Sequence, residues 1–436
     1  MAKEEIDVVE VEDDPCAGEN FHPVKAWLCV IAALLFFVVG TGTLNMLNPI
    51  LKLMLEDFGS TTTMGSNWNS ILSIVCAVMA FPVGFILNKY GFRMLGYIGY
   101  VVLIATAAAG ALCPNEWVMC VVRAFQGIGY VIPGLISVYC VTQWFPRDKQ
   151  SLPITIVALG PNIARIVVTQ MSKPAIELGG WQMQWWFFLG LCVIAFVMFV
   201  LFMRPGPGFA AAEAQRKAKE ERKSKQEKAP LTLVLKNPYV WAITGIMLFF
   251  SLSTRGFDTF TNMILVENCG IENSTASDIT SAFSFAKMAA APICGMIMTK
   301  FLMSRGKIVA AMLTIAFAGM VFGYMLNSLW MAWAFVIVVG VTSCAIPYSF
   351  AVIPQFCKNP AVLAMALTFM NFLGKYIAGF VAPYIVSTVQ ELTGSFMTVA
   401  IPTAVFSVLG IFCVWFVGFG LDKMTKRERA AKEAAE

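Results

Sequence analysis

Hydrophobic residues in this chain come in long blocks broken by short polar stretches. Twelve blocks stand out, at about 26–49, 66–87, 94–113, 117–141, 151–172, 184–203, 238–264, 276–299, 308–327, 329–353, 361–386 and 396–420. Each is about 20 residues or more, the length a helix needs to cross a bilayer core. The pattern predicts an all-α integral membrane protein of twelve spans, numbered 1 to 12 in chain order. One longer interruption, residues 204–237, contains EAQRKAKEERKSKQEK and reads as a solvated cytosolic linker. The chain then divides into an acidic tail (1–25), a six-span half (26–203), the linker (204–237), a second six-span half (238–420) and a short tail (421–436).

Composition agrees with that reading. Of 436 residues, 58% are hydrophobic and 13% charged, about half the charged share of a soluble domain. The acidic start, EEIDVVEVEDD, has no basic n-region and is not expected to act as a signal peptide. The net charge of +5 resides in loops and does not argue for nucleic acid. Twelve cysteines without a CxxC pair read as reduced core residues, not as a disulfide or zinc framework. His22, the single histidine, precedes span 1, which excludes intramembrane histidine chemistry.

Charge in the connections sets the expected orientation. Lys89 and Arg93, Arg147 and Lys149, the linker, Lys300, Arg305 and Lys307, and Lys358 fall in alternate connections. The other connections hold Lys52 and Lys173 but mostly Glu56, Asp57, Glu116, Glu177, Glu267, Glu272 and Glu391. By the positive-inside rule, both termini are expected in the cytosol of a cell-membrane protein. Asn273-Ser274-Thr275 matches a glycosylation sequon, which chance explains adequately.

The halves repeat. Gly84-x-x-x-Asn88-Lys89 recurs as Gly295-x-x-x-Thr299-Lys300 at an offset of 211. FFVVGTGTLNML from Phe36 recurs loosely as FFSLSTRGFDTF from Phe249 at 213, and Gln143-Trp144-Phe145 aligns with Gln355-Phe356-Cys357 at 212. Three weak matches at nearly one offset, with the basic linker midway, indicate a six-plus-six duplication.

Span 2 ends in GFILNKYGFR, with Gly84, Lys89, Gly91 and Arg93. It resembles the signature of the major facilitator superfamily between spans 2 and 3, with Asn88 where the family carries aspartate. Span 4 carries RAFQGIGYVIPG, similar to the family's Arg-x-x-x-Gly-x-Gly at Arg123, Gly127 and Gly129, and span 5 carries a partial antiporter motif, Gly160-Pro161. WFPRDKQS after span 4 resembles the corresponding stretch of oxalate:formate antiporters and monocarboxylate porters. The resemblance covers the whole chain. It implies two pseudo-symmetric six-helix halves with a substrate site near midplane. In the oxalate:formate group a span-8 arginine and a span-11 lysine bind the dicarboxylate; Lys287 and Lys375 stand in those spans here. The resemblance implies gating roles for Gly84, Asn88, Lys89, Gly91 and Arg93.

Charges inside the spans are the candidate chemistry, because an ion at mid-depth costs several kcal/mol unless something compensates it. Arg123, Arg165, Arg255, Lys287, Lys375 and Asp258 fall within spans. Arg165, Lys287 and Lys375 lie about 12–15 residues from their helix ends, near mid-membrane by the helical rise. They are expected to form an anion site without a matching carboxylate, with Arg165 and Lys375 facing one another across the pseudo-two-fold axis. Arg123 belongs to a scaffold motif and is expected to act in structure or gating. Arg255 and Asp258, three apart on span 7, form either an internal salt bridge or a coupling pair. Asn45 and Asn48 align with the Asp258 region. Tyr139, Tyr348 and Tyr376 are candidates to donate hydroxyls to a carboxylate, and Pro133, Pro161, Pro347 and Pro383 are candidate hinges.

These features lead to an expected transporter of a small organic anion, a carboxylate, working by alternating access and anion exchange, and acting as a monomer. An exporter of amphipathic compounds (drugs or sterol-like acids), a proton-coupled anion symporter and a transporter-shaped anion sensor are the alternatives. No cofactor or metal is implied. No nucleophile–base pair, phosphate loop or ligand cluster points to an enzyme.

Overall fold

The structure is a computed structural model describing residues 22–146, 149–207, 209, 235–301, 306–342, 345–357 and 360–433. The side chains at Gly84, Asn88, Lys89 and Lys375, most of the linker and the first 21 residues fall outside that description. All regular structure among the described residues is helical.

Nine stretches of described residues are long and apolar enough to cross a membrane. One of them, Leu152–Phe202, has 51 residues. At about 1.5 Å per residue that is more than twice the hydrocarbon thickness, so it crosses twice. It folds back at Gly180, whose φ of 72° lies in the left-handed region that glycine tolerates. Spans 2 and 3 are one run, Thr62–Ala111, folded in the same way at Gly91 (φ 78°). The signature glycine therefore does what the motif needs: it reverses the chain in a single residue. Residues 62–90 and the helix Asn273–Phe301 complete the twelve crossings.

Some spans are broken. Span 5 breaks at Leu159, between Ser151–Ala158 and the segment that opens with Gly160-Pro161. Proline lacks the N–H that would continue the earlier helix. Span 11 runs Pro360–Asn371, then a π-helical turn Phe372–Ile377, then Ala378–Thr393. The backbone of Lys375 lies in that turn, a feature that tends to occur at functional sites. The helix of span 12 runs to Glu433, past the expected end at Gly420.

Close packing holds each bundle together. In the first, Phe36 stacks on Tyr100 at 4.4 Å, and the Tyr100 hydroxyl donates to the Ala195 carbonyl at 3.0 Å, tying spans 1, 3 and 6. A Cβ at Gly127 would stand 2.8 Å from the Leu72 carbonyl oxygen, so glycine lets span 4 press against span 2. In the second bundle Phe257 packs edge-on to both Tyr324 and Phe335. No disulfide joins the nine described cysteines, six of which are buried.

Among the described residues, every hydrogen bond joining the two halves lies between mid-membrane and the end expected to face outside. Span 2 meets span 11 there. Ser66 and Ser70 donate to the Pro383 and Phe380 carbonyls at 2.8 and 2.9 Å, and Thr62 to Gln390 at 2.8 Å. Tyr384 donates to Asn67. Span 5 meets span 8: Gln170 donates to Asp278 and Ser281 at 3.1 and 2.8 Å, and Lys173 pairs with Asp278. Asn273, the sequon residue, donates to the Pro49 carbonyl at 2.9 Å. At an offset of 211, Asn67 aligns with Asp278 and Lys173 with Tyr384. The duplication thus repeats one gate twice, once as a neutral hydrogen bond and once as an ion pair.

Candidate functional site: a cationic cavity between the halves

A cavity of about 520 Å³ lies between the halves, lined by residues from the middle of the spans. Its walls differ sharply. The first half contributes Phe37, Leu44, Val131, Gly134 and Pro161, with Thr41, Asn45, Tyr130 and Asn162 interspersed and Arg165 as its one ion. The second half contributes Arg255, Asp258, Lys287 and Tyr376. Toward the sealed end the cavity continues into a chamber of about 70 Å³ between Ser73, Thr259, Gly379 and Pro383.

Asp258 is the centre of the charge arrangement. Arg165, 6% exposed, donates through Nη1 to Asp258 Oδ1 across the halves, and through Nη2 to Thr261 Oγ1 at 2.9 Å. Lys287 Nζ reaches the same Oδ1 at 3.1 Å. The Arg165 Nε has no partner among the described residues, leaving one N–H for a further acceptor. Arg255 lines both the cavity and its outer chamber, and forms no salt bridge with any described residue.

Several expectations need correcting. The site does contain a carboxylate: Asp258 neutralises part of Arg165 and Lys287. Of the two alternatives for Arg255 and Asp258, the internal salt bridge is not made among the described residues; the cations on Asp258 come from spans 5 and 8. Arg165 faces Asp258, while its expected partner Lys375 has a side chain outside the described residues. Tyr139 is not on the cavity; it packs edge-on to Phe92 near the opposite end of span 4. Tyr348 is fully buried in the core of the second half. Tyr376 and Asn45 do line the cavity, Asn45 donating to the Thr41 carbonyl at 3.1 Å. Asn48 accepts from the Asn262 backbone N–H at 3.1 Å and helps to join the halves.

Arg123 also lies off the cavity. It is fully buried and donates to the carbonyls of Thr43 (2.6 Å) and Trp68 (3.3 Å), to Gln126 (2.7 Å) and to Asn69 (2.9 Å). Four acceptors from spans 1, 2 and 4 make it a clamp within the first half. Arg93, at the turn after Gly91, donates to Tyr97 at 3.1 Å. The gating positions Gly84, Asn88 and Lys89 fall outside the described side chains.

Tyr130 was missed from sequence, being one of ten tyrosines with nothing local to mark it. Cys76 was missed too, although the repeat offset of 211 aligns it with Lys287. Asn45 and Asp258 align at 213. The cavity is therefore lined at equivalent positions of the two repeats, with the ions concentrated on the second.

Two helical halves closed at one end over a charged mid-membrane cavity define a multi-pass membrane protein with a central site of a kind that carriers use. A sequence model of the Major Facilitator Superfamily matches residues 28–383, and the chain belongs to that superfamily. It is a membrane transporter, not an enzyme. Among similar proteins, the MFS transporter cpaT of Aspergillus oryzae is 25% identical over 261 residues, which is 58% of this chain and 52% of cpaT. The match thus spans about half the length of that relative. The probable nitrate transporter NarT of Staphylococcus aureus (strain bovine RF122 / ET3-1) is 24% identical over 385 residues, 87% of this chain and 92% of NarT. Among solved structures, a bacterial homologue of the human lysosomal transporter Spinster, inward-facing and unoccupied, superposes with a TM-score of 0.70 at 11% identity, covering 92% of this chain and 98% of that one. The nucleoside transporter NupG also gives 0.70, at 17% identity, covering 90% and 99%. At these identities the structural likeness is one of fold.

Proposed function

We propose that this protein is a secondary transporter that moves a small organic anion, a carboxylate, across the cell membrane by alternating access, as anion-for-anion exchange. One observation carries the reading: the described cavity holds three cations, Arg165, Arg255 and Lys287, against one carboxylate, Asp258, which contacts only Arg165 and Lys287. A cation surplus at mid-depth costs several kcal/mol when the halves close over an empty site. A bound anion offsets that cost, so loaded carriers reorient faster than empty ones. Lys375, on the π-helical turn of the span that helps to line the cavity, is a further candidate contact.

The NarT relative supports an anionic substrate. Nitrate and carboxylate share a planar oxyanion head that suits a guanidinium fork. Size favours the carboxylate, since 520 Å³ lies within the range that holds organic ligands, far more room than nitrate needs. The basic connections assign the sealed end to the outside, which makes the described state inward-facing.

Proton-coupled symport is the second reading, and Asp258 favours it. Protonation there would release Arg165 and Lys287 to a substrate.

The test is uptake of labelled small carboxylates into proteoliposomes, either empty or loaded with the same anion. Wild type is compared with Lys287→Ala and Lys375→Ala, with and without an inward proton gradient. The expected result is uptake that requires internal anion and falls about tenfold or more in each variant. Undiminished transport in both variants would remove the site assignment. A proton gradient that drives uptake into empty liposomes would replace exchange with symport. Flux of neutral or cationic amphipaths alone would make the protein an exporter.

A further inference from the structure

The charges of the cavity divide into two groups with different duties. Asp258 already occupies the facing donors of Arg165 and Lys287. Arg255, one turn before it on span 7, faces the cavity and its outer chamber with no described ion pair or side-chain hydrogen bond. Opposite it, Tyr130 and Asn45 of the first half line both spaces. Around them the first half is apolar, at Phe37, Leu44 and Val131. A ligand held here has its charge drawn to one wall and its hydrocarbon to the other.

We propose that Arg255 is the residue that reads the substrate's oxyanion head, with the organic part lying against Phe37, Leu44 and Val131. Arg165, Asp258 and Lys287 act as a neutralised clamp between the halves. The assignment rests on the anion-transport reading and deepens it. It selects an amphipathic monoanion, with one planar oxyanion head and a short apolar tail. Among the described side chains, a second anionic group would find only the Arg165 Nε–H unless it displaced Asp258 from two partners. The head has a free guanidinium, which offers two parallel N–H donors to a carboxylate. Tyr130 and Asn45 supply neutral polar groups beside it, and the adjoining chamber of about 70 Å³ extends from Arg255 toward the sealed end.

The experiment titrates detergent-purified protein with acetate, butyrate, hexanoate, succinate and nitrate, reading the thermal unfolding midpoint. Wild type should bind butyrate more tightly than acetate by about fourfold per added methylene, up to the length that fills the cavity. Succinate should bind more weakly than butyrate. Arg255→Gln should weaken all the monocarboxylates by about 30-fold or more, and Arg255→Lys should fall between it and wild type. Phe37→Ala should flatten the dependence on chain length. If Arg255→Gln is not recovered as a monodisperse protein, Arg255→Lys and Phe37→Ala carry the test. Wild-type affinity in both Arg255 variants, with binding lost in Lys287→Gln, overturns the assignment and leaves the anion reading intact. Succinate binding more tightly than butyrate overturns the monoanion claim. No stabilisation of wild type by any of the five anions removes the anion reading, and this inference with it.

Discussion

Asp258 shows how far one side chain can change the meaning of its neighbours. Arg165 and Lys287 are recognisable in sequence as cations stranded in apolar blocks, and that much needs no structure. Their compensation by Asp258 is not legible, because the three residues sit on spans 5, 7 and 8 and converge only when the halves pack. Sequence proximity points instead to Arg255, three residues from Asp258, and the structure leaves that pair unmade. The arrangement predicts the behaviour of Asp258→Asn. Removing the shared carboxylate leaves two cations facing each other; because Asp258 is 26% exposed on the cavity wall, the loss falls below the ~3–5 kcal/mol of a fully buried pair. The Asp258→Asn protein should unfold at a lower temperature than wild type when empty, and a saturating carboxylate should recover more of that loss than it adds to wild type. Equal shifts in the two proteins would mean that Asp258 does not compete with the substrate.

At the scale of elements, the two outer contacts between the halves are the informative pair. Span 2 meets span 11 through Asn67 and Tyr384, and span 8 meets span 5 through Asp278 and Lys173, at equivalent positions of the repeat. Each contact alone is modest. The ion pair is half-exposed, with side chains 25% and 49% accessible, and such pairs contribute about 0.2–1 kcal/mol. A neutral hydrogen bond adds about 1 kcal/mol. Because the two contacts lie on opposite sides of the pseudo-two-fold axis and share no partner, their effects should add. Tyr384→Phe combined with Asp278→Asn should therefore shift the balance toward the outward-open state by about 1–2 kcal/mol, roughly 5- to 30-fold in population. Distances between spin labels at the outer ends of spans 2 and 11 would report this, and an unchanged distribution in the double variant would deny these contacts a gating role. The repeat itself was visible in sequence through its constant offset. Which of its positions face the other half was not, because a block that is apolar on nearly every side has no amphipathic stripe to orient it.

At the scale of the whole molecule, the sealed and open ends make a directional prediction. A thiol introduced by Val131→Cys would lie on the cavity wall, and among the described residues the contacts that join the halves gather at the end expected to face outside. A membrane-impermeant maleimide should add label, relative to the parent protein, in inside-out vesicles and not in right-side-out cells. The reverse pattern would invert either the orientation drawn from the basic connections or the inward-facing state.

Twelve crossings, the duplication, the all-helical class and the presence of cations at mid-depth were all determined by the sequence alone. Each depends on local quantities: the length of an apolar block, the charge of a connection, the residue at a fixed offset. Tertiary structure decided the rest. It assigned Arg123 to a clamp inside one half and Asp258 to two cations from distant spans. It left Tyr139 and Tyr348 off the cavity wall and put Tyr130 on it. These outcomes depend on how each helix is rotated about its own axis. In a bilayer that rotation is fixed by contacts between helices, since lipid and core are equally apolar and solvation does not distinguish one side of a span from another.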